Sequence, residues 1–246
     1  MIKTIHSEVE KKNRIKLKEL YQKNPIFENK IVSNIGVFLK RQELSKILFL
    51  NEIYSKIKNI HGVIMEFGVR WGQNLSTLNN LRGICEPYNH SRKIIGFDTF
   101  EGFSGVSKED GNYEYNKSGA FNVTKDYDEY LAQVLRSHEN ECPLKYINKN
   151  FLIKGDATKT LKNYLDKHLE IIIAFTYFDF DLYKPTLKCL KIIKPYLTKG
   201  SIIGFDELCD PGFPGETIAL REVLGTNNLK IKRNKFSGIQ SYFSYS

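Results

Sequence analysis

Two carboxylates, Asp179 and Asp181, close an apolar run that reads Ile-Ile-Ile-Ala-Phe-Thr-Tyr-Phe-Asp-Phe-Asp-Leu-Tyr over residues 171–183. Side chains alternate along a strand, so acids two positions apart share a face while Phe178 and Phe180 point the other way. A second pair, Asp206 and Glu207, follows a second apolar run at 201–205. Crowded carboxylates repel unless a cation, a proton or strong donors stand between them. Such a cluster could bind a divalent metal through hard oxygens, or take a proton from a reacting hydroxyl. The alternative is a set of solvated turn residues, and it loses ground if two adjacent strands bring both pairs into one volume.

The elements that must do this can be read in order. A continuous Ile/Phe/Tyr run suits a strand buried on both faces, and ligands of open α/β sheets bind beyond the carboxyl ends of the strands. A first strand at 62–67 leads into Glu66-Phe67-Gly68-Val69-Arg70-Trp71-Gly72-Gln73-Asn74-Leu75-Ser76, a strand, a glycine turn and a helix start. Glycines there let a ligand approach the backbone, and the helix start offers free N–H groups. The spacing G-x-x-x-G is not the dinucleotide fingerprint. A second strand at 93–97 ends in Asp98, where such folds grip ribose hydroxyls. A third at 150–154 precedes Gly155-Asp156-Ala157. Helices are expected at 126–138, 158–168, 186–197 and 216–224, and strands at 229–232 and 239–245 form a hairpin-like end. The expected fold is therefore α/β, a βα series finished by an antiparallel edge. In front of it, helical periods at 6–22 (Leu17, Leu20, Tyr21) and 42–57 (Leu44, Ile47, Leu48, Ile53, Ile57) flank a loop at 24–34. They define an extension, 1–60, that serves as a lid or subunit contact, ahead of a domain at 61–246. Residues 99–123, rich in Gly, Ser, Asn and Tyr, read as a long ordered loop of the kind that carries function.

Composition narrows the classes. At 246 residues and 41% hydrophobic the chain can bury a core. No segment approaches the roughly 18 apolar residues a membrane span needs. Residues 1–18 lack the apolar centre of a secretion signal, so a cytoplasmic protein is expected. Cys85, Cys142, Cys189 and Cys209 have no paired spacing, which argues against zinc and against a disulfide framework. A net charge of +9 reflects lysines spread through the chain, or an anionic small substrate. With no long basic block, no nucleic-acid partner is expected.

Five blocks now stand in order between residues 62 and 224: Glu66-Phe67-Gly68-Val69; Gly96-Phe97-Asp98-Thr99-Phe100-Glu101-Gly102-Phe103; Gly155-Asp156-Ala157; Phe178-Asp179-Phe180-Asp181-Leu182-Tyr183; and Phe205-Asp206-Glu207 with Phe213-Pro214-Gly215-Glu216. Together they resemble the macrocin O-methyltransferase-like family of class I S-adenosylmethionine-dependent sugar O-methyltransferases. The resemblance implies a Rossmann-like, seven-stranded, mostly parallel sheet with an antiparallel last strand and helices on both faces. It also implies an enzyme that methylates a hydroxyl of a sugar, nucleotide-activated or a glycoside, for surface polysaccharides or natural products. Glu66, Gly68, Val69, Arg70 and Gly72 would hold the methionine part of the cofactor, with Asn74 near its carboxylate. Asp98 would accept the ribose hydroxyls beside Thr99, and Asp156 and Ala157 would border the adenine. Asp179, which also borders the cofactor, would join Asp206 and Glu207 in binding a divalent metal: magnesium first, manganese or calcium otherwise. Asp181 would be the base, with Asp179 as the exchanged assignment and His138 as a substitute. A homodimer, no membrane and no nucleic acid complete these expectations. An RNA methyltransferase and a non-catalytic S-adenosylmethionine-binding module are the alternatives.

Overall fold

The apolar runs become strands of one seven-stranded sheet in the computed structural model, which describes residues 7–246. They are β1 (Val63–Phe67), β2 (Ile94–Asp98), β3 (Asn150–Lys154), β4 (Ile173–Phe178), β5 (Leu197–Phe205), β6 (Lys232–Arg233) and β7 (Ser241–Ser244). Their spatial order is β3-β2-β1-β4-β5-β7-β6. The first five pair in parallel, and β7 pairs antiparallel with β5 and β6. The order reverses between β1 and β4, the switch point where such sheets open a crevice for ligands. The helices are α1 (Glu8–Gln22), α2 (Glu28–Ile31), α3 (Arg41–Ile57), α4 (Gln73–Cys85), α5 (Tyr127–Asn140), α6 (Ala157–Lys167), α7 (Tyr183–Ile193) and α8 (Gly215–Val223). This is the Rossmann-like class I arrangement that the blocks implied.

Phenylalanines set the level of the sheet's carboxyl edge. The rings of Phe97, Phe67, Phe178, Phe205 and Phe243, from β2, β1, β4, β5 and β7, stack in a row at 5.2, 4.8, 5.2 and 6.4 Å. All five are buried, each contributing about 1.5–3 kcal/mol. The residues that follow the first four are Asp98, Gly68, Asp179 and Asp206. One apolar row therefore fixes where three acids and the first glycine of the turn leave the sheet.

Two compact units divide the chain, residues up to Ser45 and residues from Lys46 on. In the first, Ser7 and Glu10 form a capping box that starts α1, Tyr21 meets Phe38 edge-on at 5.0 Å, and Arg41 pairs with Glu10 at 2.8 Å. None of the residues of α1, α2 or the following 3-10 turn is buried. The expected first helix included His6, which lies outside the described residues together with 1–5.

Several elements depart from the sequence reading, among them the strand expected at 229–232, which is β6 at Lys232–Arg233. The loop expected at 24–34 carries α2 and a 3-10 turn, Val32–Phe38, pieces too short to show a helical period. The helix expected to reach residue 197 ends at Ile193 and tightens into a 3-10 turn, Lys194–Tyr196, because Pro195 has no N–H to continue the α-helical ladder, and β5 begins at Leu197. In α3, from Lys46 on, the buried residues are Phe49, Leu50, Ile53, Tyr54 and Ile57, while Leu44 and Leu48 are exposed. The bulkier stripe, with two aromatic rings, took the core. Among the described residues no helix is long and apolar enough to cross a membrane.

Candidate active site

A cavity of about 300 Å³ opens at the switch point and is lined by Gly68, Arg70, Asp98, Asp156, Asp179 and Asp206 among others. Its first wall is built from the β1 and β2 exits. Gly68 has φ +92, and a Cβ there would lie 2.0 Å from the Asp179 carbonyl oxygen, so only glycine lets the β1 and β4 exits touch. Gly72 (φ +76) starts α4, and a Cβ on it would strike Leu131 at 2.4 Å. Asn74, on the first turn of that helix, donates to Glu66 Oε1 at 2.8 Å. That leaves Glu66 Oε2 and Asn74 Oδ1 buried without a partner, and burial lifts the Glu66 carboxyl to about 8. Asn74 and Val69 line the cavity, with Glu66 behind them in the sheet. An orphaned buried oxygen of this kind suits a ligand donor.

Asp98 anchors this wall. Its Oδ2 accepts the Arg70 N–H at 2.7 Å and its Oδ1 the Phe100 N–H at 2.6 Å, joining the glycine turn to the long loop. Each carboxylate oxygen keeps a lone pair for a hydroxyl. Thr99 beside it donates to the Gly102 carbonyl at 3.1 Å. Asp156 caps α6 through the Thr158 N–H at 2.9 Å, and it lines the cavity with Thr99 and Ala157. All eleven residues expected to hold the cofactor thus lie on the β1, β2, β3 and β4 exits or in the helix turns after them.

The second wall is acidic. Phe178 and Phe205 are register partners on β4 and β5, so Asp179 and Asp206 leave the sheet side by side. Strand β4 ends at Phe178, and Asp181 sits in a turn with φ +61. Alternation along a strand is therefore not what places Asp179 and Asp181 together; a left-handed turn does. Asp181 and Glu207 both line the cavity. The buried Glu216 carboxylate, at the start of α8, accepts the N–H groups of Phe180, Asp181 and Glu207 at 3.0, 3.3 and 3.4 Å, tying both exits together.

Partners that the sequence reading missed complete this wall. Lys46 Nζ stands 3.1 Å from Asp179 Oδ2 and 3.1 Å from Asp206 Oδ1. The Tyr177 hydroxyl and Gln240 Nε2 also donate to Asp206 Oδ1, at 2.5 and 3.1 Å. A signal for Lys46 was present: it precedes Leu50, Ile53 and Ile57 by four, seven and eleven positions and so falls on the buried stripe of α3. A charge on such a stripe has to find a partner. Tyr177 and Gln240 carried no such signal, and Glu216 was marked only as part of a motif. His138 lies in the last turn of α5 and does not line the cavity.

Charge is unevenly shared across the acids. Burial, then Asp206, pushes Asp179 up to about 6, with Lys46 opposing. Burial also works against ionised Asp206, but Lys46, Tyr177 and Gln240 outweigh it and hold that carboxyl below its usual range. Asp181 is pushed well up by burial and by Asp179, and Glu207 by burial and by Asp181. Burial disfavours the Lys46 ammonium, yet Asp179 and Asp206 more than restore it. Asp181 Oδ1 and Glu207 Oε2 are buried with no partner. Among the described residues, no three His, Cys, Asp or Glu side chains converge as a ready ligand set.

No family model and no curated protein matches the chain. Solved structures do. The chain is similar to the crystal structure of CalS11, a calicheamicin methyltransferase, with 39% identity and a TM-score of 0.95 over 98% of this chain and 94% of that one. Against the apo structure of CalS11, described as a TDP-rhamnose 3'-O-methyltransferase of calicheamicin biosynthesis, identity is 36% and the TM-score 0.86, over 98% and 96%. The O-methyltransferase NovP shares the fold at 16% identity, with a TM-score of 0.61 over 82% and 80%.

Proposed function

Because the chain belongs to the macrocin O-methyltransferase-like family of class I S-adenosylmethionine-dependent sugar O-methyltransferases, we propose that it methylates a hydroxyl of a nucleotide-activated sugar with the help of a divalent cation. The carrying observation is that one cavity has the cofactor residues on one wall and the acid cluster on the other. A donor and an acceptor hydroxyl can then meet at near contact distance, which removes most of the entropic barrier to transfer. The TDP-sugar in the description of CalS11 supports a nucleotide-linked acceptor, and the charge of +9 suits an anionic one.

S-adenosylmethionine, when bound, supplies a methyl group already activated on a sulfonium. The residues of this chain do the rest. The turn 68–72 gives close backbone approach, Asn74 and Glu66 offer the orphaned oxygens, and Asp98 accepts ribose hydroxyls. The acid wall also fits a hard divalent ion in kind. Its donors are carboxylate oxygens, Asp181 Oδ1 and Glu207 Oε2 lack partners, and the Lys46 ammonium already lies between Asp179 and Asp206. Asp179, Asp206 and Glu207 would hold magnesium, or manganese or calcium, whose chemistry there would be Lewis-acid polarisation of a hydroxyl. Asp181 Oδ1 is assigned the acceptor's proton; burial and Asp179 favour the neutral form of this acid, so the role requires added positive charge on the wall to keep Asp181 ionised.

In this reading the partners are small: a sugar or nucleotide sugar, with no nucleic acid. Self-association is assigned to the N-terminal unit, where Val9, Ile15, Phe27 and Val32 are exposed. The test is a screen of nucleotide sugars and free glycosides for methyl acceptance, with and without chelator. Turnover on a nucleotide sugar that stops in chelator and returns with magnesium is expected. Full turnover in chelator removes the ion from the reading, and methylation of RNA in place of sugars overturns the acceptor class.

A further inference from the structure

The Lys46 ammonium takes one oxygen from each of two carboxylates that the proposed function gives to a divalent cation, so two positive charges would crowd one place and repel. We propose that Lys46 is a built-in competitor for that place: it holds Asp179 and Asp206 together in the ion-free enzyme and swings away when the ion binds. The inference rests on the divalent-ion reading above and deepens it.

The geometry is that of a substitute cation. Lys46 Nζ is equidistant, at 3.1 Å, from one oxygen of each acid, and it lies 5.8 Å from the Tyr177 ring centroid. Asp179 and Asp206 leave neighbouring strands in register, so without a positive charge between them they would repel at close range. The lysine comes from a rigid position. Leu50, Ile53 and Ile57 fix the stripe of α3 on which it sits against the sheet. Its four-carbon stem is flexible, and it lines the cavity, so the head group has open space to move into. A lysine that only supported an already bound ion would have no reason to place its charge between the carboxylates. Two cations that exclude one another are negatively coupled, and couplings of this kind usually amount to roughly 5- to 150-fold in affinity.

Two measurements on the full chain decide the matter. The first is calorimetric titration of magnesium and manganese into the wild type and into Lys46→Met, which keeps the length of the stem. Affinity for the ion should rise at least about tenfold in the variant, within that range. The second needs no variant. Lysine acylation read by mass spectrometry should show Lys46, whose side chain is 21% exposed, protected without metal and several-fold more reactive in saturating magnesium. Lys125, 92% exposed, serves as the unchanged internal reference. Calorimetric binding to the wild type with Lys46 still protected overturns the displacement, and leaves the divalent-ion reading standing. Equal affinities in wild type and Lys46→Met overturn it likewise. If the ion binds only to Lys46→Met, the competition holds and the lysine is the resident cation. If neither protein binds magnesium or manganese, the divalent-ion reading fails and this proposal falls with it.

Discussion

The two walls of the cavity handle their acids in opposite ways. On the β1–β2 side, Asp98 is satisfied by backbone N–H groups from its own neighbourhood, Arg70 and Phe100. On the β4–β5 side the acids outnumber their local donors and rely on side chains from far along the chain: Lys46 is 133 positions from Asp179, and Gln240 is 34 from Asp206. A wall satisfied by backbone is already organised for a ligand that is bound and held. A wall with excess, partly protonated carboxylates is poised to change its charge state, which is what proton transfer or cation binding asks of it. The difference separates binding from chemistry within one pocket.

The sharpest test of that division is Asp181→Asn. It should lower kcat by roughly 10²–10⁴, as loss of a general base does, while cofactor affinity changes by less than about threefold. Calorimetry with S-adenosylmethionine alongside steady-state kinetics reads both numbers. Comparable losses in the two would mean that the walls are not separable. Gly68→Ala attacks the seam instead. Its Cβ would lie 2.0 Å from the Asp179 carbonyl, so the β1 and β4 exits must part, at a stability cost of roughly 2–4 kcal/mol, with cofactor binding and turnover lost together. A melting temperature within about 2 °C of the wild type would show that the seam has slack.

How much of this was legible in the sequence follows the same division. Cofactor-wall residues sit inside short motifs, Glu66 to Asn74 and Gly96 to Gly102, where a strand, a turn and a helix start are local events with local signals. The acids of the other wall were legible as types at strand ends, and the parallel register of β4 and β5 places them side by side. Of their partners, Lys46 left a signal in its place on the buried stripe of α3, whereas Gln240 comes from the approach to β7, a contact that only the folded sheet creates. The alternation expected for Asp179 and Asp181 failed for a related reason. Strand β4 stops at Phe178, two residues before Phe180 in the same aromatic run, and Glu216 from α8 captures the N–H groups that follow.

Asp98→Ala should weaken S-adenosylmethionine binding by about 10- to 100-fold. Charge-assisted hydrogen bonds to ribose are each worth about 1.5–3 kcal/mol, and part of the loss here is the slackening of the Arg70 and Phe100 turns. Asp98→Asn, which keeps an acceptor for one N–H, should lose less than the alanine variant. Affinities measured by calorimetry that rank the other way would mean Asp98 organises the loops without touching the cofactor. Metal binding should be unchanged in both variants, since nothing on the acid wall leans on this residue.

The smallest effect expected is at Glu66, and its sign is informative. Burial raises this carboxyl to about 8 from an ordinary 4.5, so in the ligand-free fold it keeps its proton across the neutral range, where the unfolded chain would release it. Its contribution to stability is thus fully present below pH 4.5 and is lost as pH rises towards and through 8. Glu66→Gln replaces the protonated acid with a neutral amide of nearly the same shape, and its carbonyl can still accept from Asn74. At pH 4, where the acid is protonated in both states, the two proteins should differ by less than about 1 kcal/mol, within the range of a nearly isosteric change. Between pH 6 and 9 the melting temperature of the wild type should fall relative to that of Glu66→Gln. Bound S-adenosylmethionine should narrow the gap at high pH, because a positively charged amino group beside Glu66 Oε2 would stabilise the ionised acid that the empty wall disfavours. Parallel melting curves across that range would show that Glu66 titrates normally, and that the orphaned oxygen is satisfied by water.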